Sequence, residues 1–296
     1  MNEDPRWPRA SGWLAAGRGP DLVVLGVPTH LTSISPTGAD ATPGAIRAAL
    51  ARYSTYAATH DVDLASVGVV DAGDIDDPDA DAAHVVDHVR AAAAGSRLLV
   101  ALGGDNSLTY GVALGTWGGA LRTAGLVTLD AHHDLRDGVS NGSPVRRLVE
   151  AGLDGRRIVQ VGIADFANSP EHAARARDLG ITVIARDALR RRPIDDALAE
   201  ALAVASSAGG PVHVDIDVDV CDRAVAPACP ASVPGGISAD EVRQAAFAAG
   251  RSPSVTSIDI AEIDANADAD DGRTVRLGAL LLLEAAAGLA MRQATQ

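Results

Sequence analysis

Two stretches of the chain carry an unusual density of carboxylates at even spacing. In D-A-H-H-D, Asp130, His132 and Asp134 sit at i, i+2 and i+4, and in D-I-D-V-D the same period aligns Asp215, Asp217 and Asp219. On extended backbone such residues face one way, with Ala131 and His133 turned aside. Unpaired carboxylates gathered in a cleft repel one another and raise their own pKa values, and a divalent cation removes that cost. Two divalent ions against four aspartates would give a neutral site able to hold a bridging hydroxide. Oxygen ligands with a little imidazole favour Mn²⁺ or Mg²⁺ over Zn²⁺. The chemistry expected is metal-assisted hydrolysis. The competing explanation is that each Asp caps the helix that follows it.

Positioning such groups requires a sheet. Runs rich in Val, Ile and Leu recur at 21–28, 66–74, 97–105, 125–134, 157–165, 181–187, 211–219 and 254–262, separated by Ala- and Arg-rich stretches such as 82–94. Continuous apolar strands alternating with helices predict an α/β fold: a single doubly wound, mostly parallel sheet with helices on both faces. One domain over 1–296 is expected, with 1–20 a loosely ordered lead-in. Four strands turn acidic at their carboxyl ends, at 103–105, 130–134, 215–219 and 259–262. Open α/β sheets bind ligands at that edge, so four segments are expected to deliver carboxylates to one crevice.

Composition narrows the partners. The 296 residues carry 25 basic and 39 acidic side chains, net −14, which argues against nucleic acid or an anionic membrane as partner. There is no lysine, which excludes a Schiff-base lysine and a P-loop. The most hydrophobic segment, around Leu280 to Leu283, is interrupted by Glu284 and Gly288, so no membrane span is expected. Cys221 and Cys229 form neither a CxxC pair nor a secreted framework, and a cytoplasmic location with reduced thiols is the default. His84 and His88 lack the glutamate of a zinc helix and read as a solvated helix face. Gly103-Gly104 lacks dinucleotide-loop spacing.

The motifs together resemble the ureohydrolases: arginase, agmatinase and formimidoylglutamase. The resemblance spans nearly the whole chain: G-V-P at 26–28 with P-G-A-I-R at 43–47, GGDNS at 103–107 for the family's GGDHS, DAHHD for DAHxD, the segment from Asp217 to Gly235-Gly236, and D-I-A-E at 259–262. It implies an arginase-like three-layer sandwich and two Mn²⁺ per subunit. Asp130 and Asp217 would bridge the ions, His132 and Asp219 would complete one site, and Asp134 the other, with Asp215 a neighbour. Glu262 would pair with the substrate's cationic nitrogen. Two departures stand out. Asn106 replaces the usual His ligand, which implies a weaker site. Asn141 replaces a His that arginase-like members carry, which argues against arginase.

N-G-S-P-V-R at 141–146 and G-I-A-D-F-A-N-S at 162–169 are similar to the formimidoylglutamase branch. That branch converts N-formimidoyl-L-glutamate and water to L-glutamate and formamide, a step of histidine degradation. Arg136 and Arg146 are then expected to hold the substrate's carboxylates, Arg forks matching them bidentately, with Asn141 and Ser143 also in the substrate site. One rival is an agmatinase-type guanidino hydrolase, and another is a degenerate member with reduced metal binding acting in assembly. The family resemblance also implies a homo-oligomer, a trimer or hexamer.

Overall fold

The eight apolar runs all form strands, and all pair in parallel. In the computed structural model, which describes Asp4 and residues 6–292, the elements in chain order are α1 (Ala10–Ala15), β1 (Leu22–Val27), α2 (Thr42–Ala49), β2 (Tyr56–Ala57), β3 (Val62–Asp63), β4 (Val69–Asp74), α3 (Ala82–Ala93), β5 (Leu98–Gly103) and α4 (Leu108–Trp117). They continue with β6 (Gly125–Leu129), α5 (Pro144–Ala151), β7 (Ile158–Ile163), α6 (Pro170–Asp178), β8 (Thr182–Ala185), α7 (Arg186–Leu189), α8 (Ile194–Ala205), β9 (Val212–Asp217), α9 (Ala239–Arg251), β10 (Val255–Ala261) and α10 (Arg273–Met291). The sheet order is β4-β1-β5-β10-β9-β6-β7-β8, and β2 and β3 form a separate small hairpin.

Side-chain alternation along the strands divides the interior. On one face Val24, Val100, Val127, Val161, Val214 and Ile258 pack under α1, α2 and α7 to α10 in one continuous aliphatic core. On the other face the core is split. Val23, Leu25 and Leu99 pack under α3 and α4, whereas Leu126 and Ile158 pack with α4, α5 and α6. Between the two clusters runs a buried polar seam: Ser257 and Asp259 on β10, His213 and Asp215 on β9, Thr128 on β6 and Gln160 on β7. The seam leads along the strands toward the carboxyl edge.

The lead-in expectation needs correction. From Ala10 the segment is a docked helix: Trp13 and Leu14 are buried, and the Trp13 indole donates to the Val67 carbonyl at 3.1 Å. Two large apolar side chains are enough to fix six residues, while residues 1–3 and 5 lie outside the described part. Helix α10 is long and apolar enough by composition to cross a membrane, but it is a core helix, with Leu277, Leu281, Leu282 and Leu289 buried and α9 packed along it.

Candidate metal centre

The four strands with acidic carboxyl ends, β5, β10, β9 and β6, are the four contiguous central strands. Their loops converge on a cleft of about 420 Å³ whose lining includes His132, Asp134, Asn141, Asp217, Asp219 and Glu262. Asp130 sits immediately beneath, 1% exposed. One ligand atom each from Asp130, His132 and Asp219 lies within 4.8 Å of the others, close enough to share one ion.

Local backbone chemistry fixes these groups. The Asp130 carboxylate accepts from the His132 amide at 2.6 Å, Asp219 from the Ala131 amide at 2.8 Å, and Asp217 from the Asp219 amide at 2.8 Å. Asp130 and Asp217 thus each spend one oxygen on their own loop, as in an Asx turn, whereas Asp219 spends one on the loop after β6 and ties the two loops together. Asp134 and Glu262 hold left-handed backbone, φ 52° and 64°, a conformation rare outside glycine that often marks functional sites. Asp105 is held locally, accepting from the Ser107 amide and hydroxyl, and does not line the cleft.

The electrostatics call for a cation. Burial and the neighbouring Asp219 push the Asp130 carboxyl up to about 7. Burial followed by the surrounding carboxylates raises Asp134 and Asp217 well above the usual range. Burial alone would lower His132, but Asp130 and Asp219 hold its imidazolium and raise it to about 11. His132 Nδ1 lies 2.6 Å from Asp219 Oδ2, yet without hydrogen-bond alignment. Oδ2 of Asp130 is a buried acceptor with no donor, an expensive state, and Oδ2 of Asp219 has only that charged contact. Hard oxygen donors with one imidazole, inward lone pairs and excess negative charge fit divalent cations of the Mn²⁺ type.

Glu262 lines the same cleft and is likewise buried. Its Oε1 accepts from the Asn106 amide and from Asn141 Nδ2, both at 2.8 Å. Burial raises its carboxyl to about 7 despite those two donors. Asn141 Oδ1 in turn accepts from the Ile34 amide at 3.0 Å. Asn106 lies behind Asp134: its Nδ2 donates to Asp134 Oδ2 at 2.6 Å, and its Oδ1 accepts from the Thr109 hydroxyl at 2.8 Å.

Two expected substrate residues are not at the cleft. Arg146 is committed elsewhere: Nε donates to the Arg136 carbonyl at 2.6 Å, Nη2 to the Gly138 carbonyl, and Nη1 pairs with Glu150. It shapes the 136–138 loop and does not face a ligand. Ser143 is fully buried, its hydroxyl closing the turn through the Ser140 carbonyl at 2.8 Å. Arg136 does line the cleft. His133 packs away as its alternation predicts, with Nδ1 2.7 Å from Gln160 Oε1. Asp215 faces the polar seam beside Asp259, and burial, then the Asp259 charge, raises its carboxyl well above the usual range.

The sequence reading missed the wall formed by Phe166, Asn168 and His172. Its signal was present in Ser169-Pro170, a helix start that brings the α6 amino terminus to the strands' carboxyl edge. Asn168 bonds the Ala131 carbonyl and the His133 amide, both at 2.9 Å, which ties that wall to the D-A-H-H-D loop.

With fold and site described, comparison with known proteins is direct. The arginase family profile matches residues 20–288, and the chain belongs to that family. It is 36% identical over 262 residues, 83% of this chain and 80% of its relative, to the formimidoylglutamase of Halalkalibacterium halodurans. The fold superposes on formimidoylglutamase from Bacillus subtilis with a TM-score of 0.90 at 31% identity, covering 98% of this chain and 94% of that one. It superposes on Trypanosoma cruzi formiminoglutamase with Mn²⁺ with a TM-score of 0.88 at 26% identity, covering 97% and 99%.

Proposed function

We propose that the protein is a manganese-dependent hydrolase of N-formimidoyl-L-glutamate, releasing L-glutamate and formamide. One observation carries the choice of substrate: charge in the cleft is segregated. The floor of the cleft is the buried part of its lining and is acidic, with Asp134, Asp217, Asp219 and Glu262 all buried, whereas the lining residues Arg136 and His172 are exposed and half-buried. A substrate with a cationic amidine at one end and carboxylates at the other complements both. Agmatine, cationic at both ends, would set its second charge against Arg136. The relatives named above support the same choice.

Asp130, His132, Asp217 and Asp219 would hold one cation, and Asp134 with Asp130, Asp217 and Asn106 a second, weaker one. Bound there, divalent cations supply water ionised near neutral pH and Lewis-acid stabilisation of developing charge. The chain's own groups do the rest. Glu262, fixed by two amide donors, accepts hydrogen bonds from the amidine nitrogens and orients the sp² carbon over the floor. Thr109 can donate to the Asn106 carboxamide or accept from it, so either end of that amide can meet Asp134. Asn141 keeps Glu262 in place and cannot itself shuttle a proton. Arg136 anchors the glutamate end. The reading also takes the chain as a cytoplasmic homo-oligomer, trimer or hexamer, that acts on a small molecule and binds neither nucleic acid nor membrane.

Arg136→Ala tests the anchor: KM for N-formimidoyl-L-glutamate should rise about tenfold or more, the loss of one charge-assisted pair. An unchanged KM in steady-state assays would dismiss Arg136.

A further inference from the structure

Arg136 and His172 stand close on the same wall, and neither side chain has a hydrogen-bond or ion-pair partner among the described residues. Their neighbours are already committed: Arg175 to Asp137 at 2.9 Å, and Arg146 to Glu150. The place of His172 is fixed from two sides. Its backbone amide donates to the Ser169 hydroxyl at 3.1 Å, capping α6. Asn168, three residues before Glu171, ties the same loop to Ala131 and His133. These bonds fix the backbone that carries the imidazole at the cleft. It also sits in the first turn of a nine-residue helix, where the backbone dipole favours an anion.

We infer that His172 is a specificity-determining residue, which together with Arg136 receives a carboxylate at the outer end of the substrate. The inference rests on the dicarboxylate reading above and names a residue for it. Burial, then the charges of Arg136 and Arg175, lower the His172 pKa, while Asp137 and Glu171 oppose them. In the free protein the ring is thus less readily protonated than a free imidazole. A substrate carboxylate placed between Arg136 and His172 reverses the local field, so the ring takes up a proton as the anion binds. Binding of an acidic substrate then strengthens as pH falls from 7.5 to 6.5, and a cationic substrate gains nothing from it.

The test is calorimetric titration of glutarate, a dicarboxylate with no amidine, into Mn²⁺-loaded protein at pH 6.5 and 7.5, in two buffers of different ionisation enthalpy. Wild type is expected to bind several-fold tighter at pH 6.5 with fractional proton uptake. His172→Asn should bind about tenfold more weakly with no uptake, and His172→Arg should restore affinity without pH dependence. In assays of formamide release, His172→Asn should raise KM far more than it changes kcat. Equal affinity and equal proton uptake in His172→Asn would overturn the inference, as would wild type failing to bind glutarate at either pH. If glutarate binding depends on His172 but no formamide is released, the reaction assignment fails and the carboxylate subsite stands.

Discussion

At the scale of single residues, the site is a set of carboxyl groups held where carboxylates are costly. Asp130 and Glu262 are each pushed up to about 7, burial being the largest cause. An unfolded carboxyl titrates near 4, so between about pH 4 and pH 7 the fold binds protons that the unfolded chain releases. That contribution to stability is present below pH 4 and lost as pH rises to about 7. His132, raised to about 11, acts with the same sign above about pH 6.5. Metal-free protein should therefore melt at a lower temperature at pH 8 than at pH 6. Because ligation needs the ionised carboxylates, the rise in Tm on adding Mn²⁺ should be larger at pH 8. Scanning calorimetry of chelated and loaded samples checks this, and a Tm gain independent of pH would contradict it. The acidic cluster was legible in the sequence through its even spacing, although of Asp130, His132, Asp134, Asp217 and Asp219 only Asp217 lies in a strand. Arg146 and Ser143 were not, because their partners are mainly backbone carbonyls, which leave no mark in a sequence.

At the scale of elements, the loops after β1, β5 and β10 interlock. The Asp105 amide donates to the Thr29 carbonyl at 2.8 Å, and the Glu262 amide donates to the Gly104 carbonyl at 2.9 Å. Gly104 has φ 21°, and a Cβ there would lie 2.5 Å from the Thr29 backbone nitrogen, well inside contact distance. Gly104→Ala should thus cost about 1–3 kcal/mol and displace Glu262, lowering Tm and reducing kcat/KM at least tenfold. An active variant of unchanged Tm would show that the loops have slack. The six inner strands could be read from the sequence because parallel strands buried on both faces are continuous apolar runs; the edge strands β4 and β8, largely exposed, showed as shorter apolar runs. Helix α1 could not be read, since its six residues offer only Ala10, Trp13 and Leu14 as a buried face. The polar seam was also hidden. The pairing of His213 and Asp215 with Asp259 depends on β9 and β10 being neighbours in register.

At the scale of the whole molecule, strand order turns a dispersed pattern into a site. The four acidic strand ends are spread over more than half the chain, and only the order β5-β10-β9-β6 places them side by side. The sequence fixes which ends are acidic, but adjacency is a property of the topology. The net charge of −14 falls on a protein whose proposed substrate is itself an anion, so local cations at the cleft wall must outweigh the long-range field. The most direct measurement is formamide release from N-formimidoyl-L-glutamate by purified protein, after Mn²⁺ loading and again after chelation, with urea release from agmatine run beside it. The account predicts formamide release that requires Mn²⁺ and little or no urea. Folded, metal-loaded protein that releases no formamide, or that releases urea from agmatine instead, would contradict it.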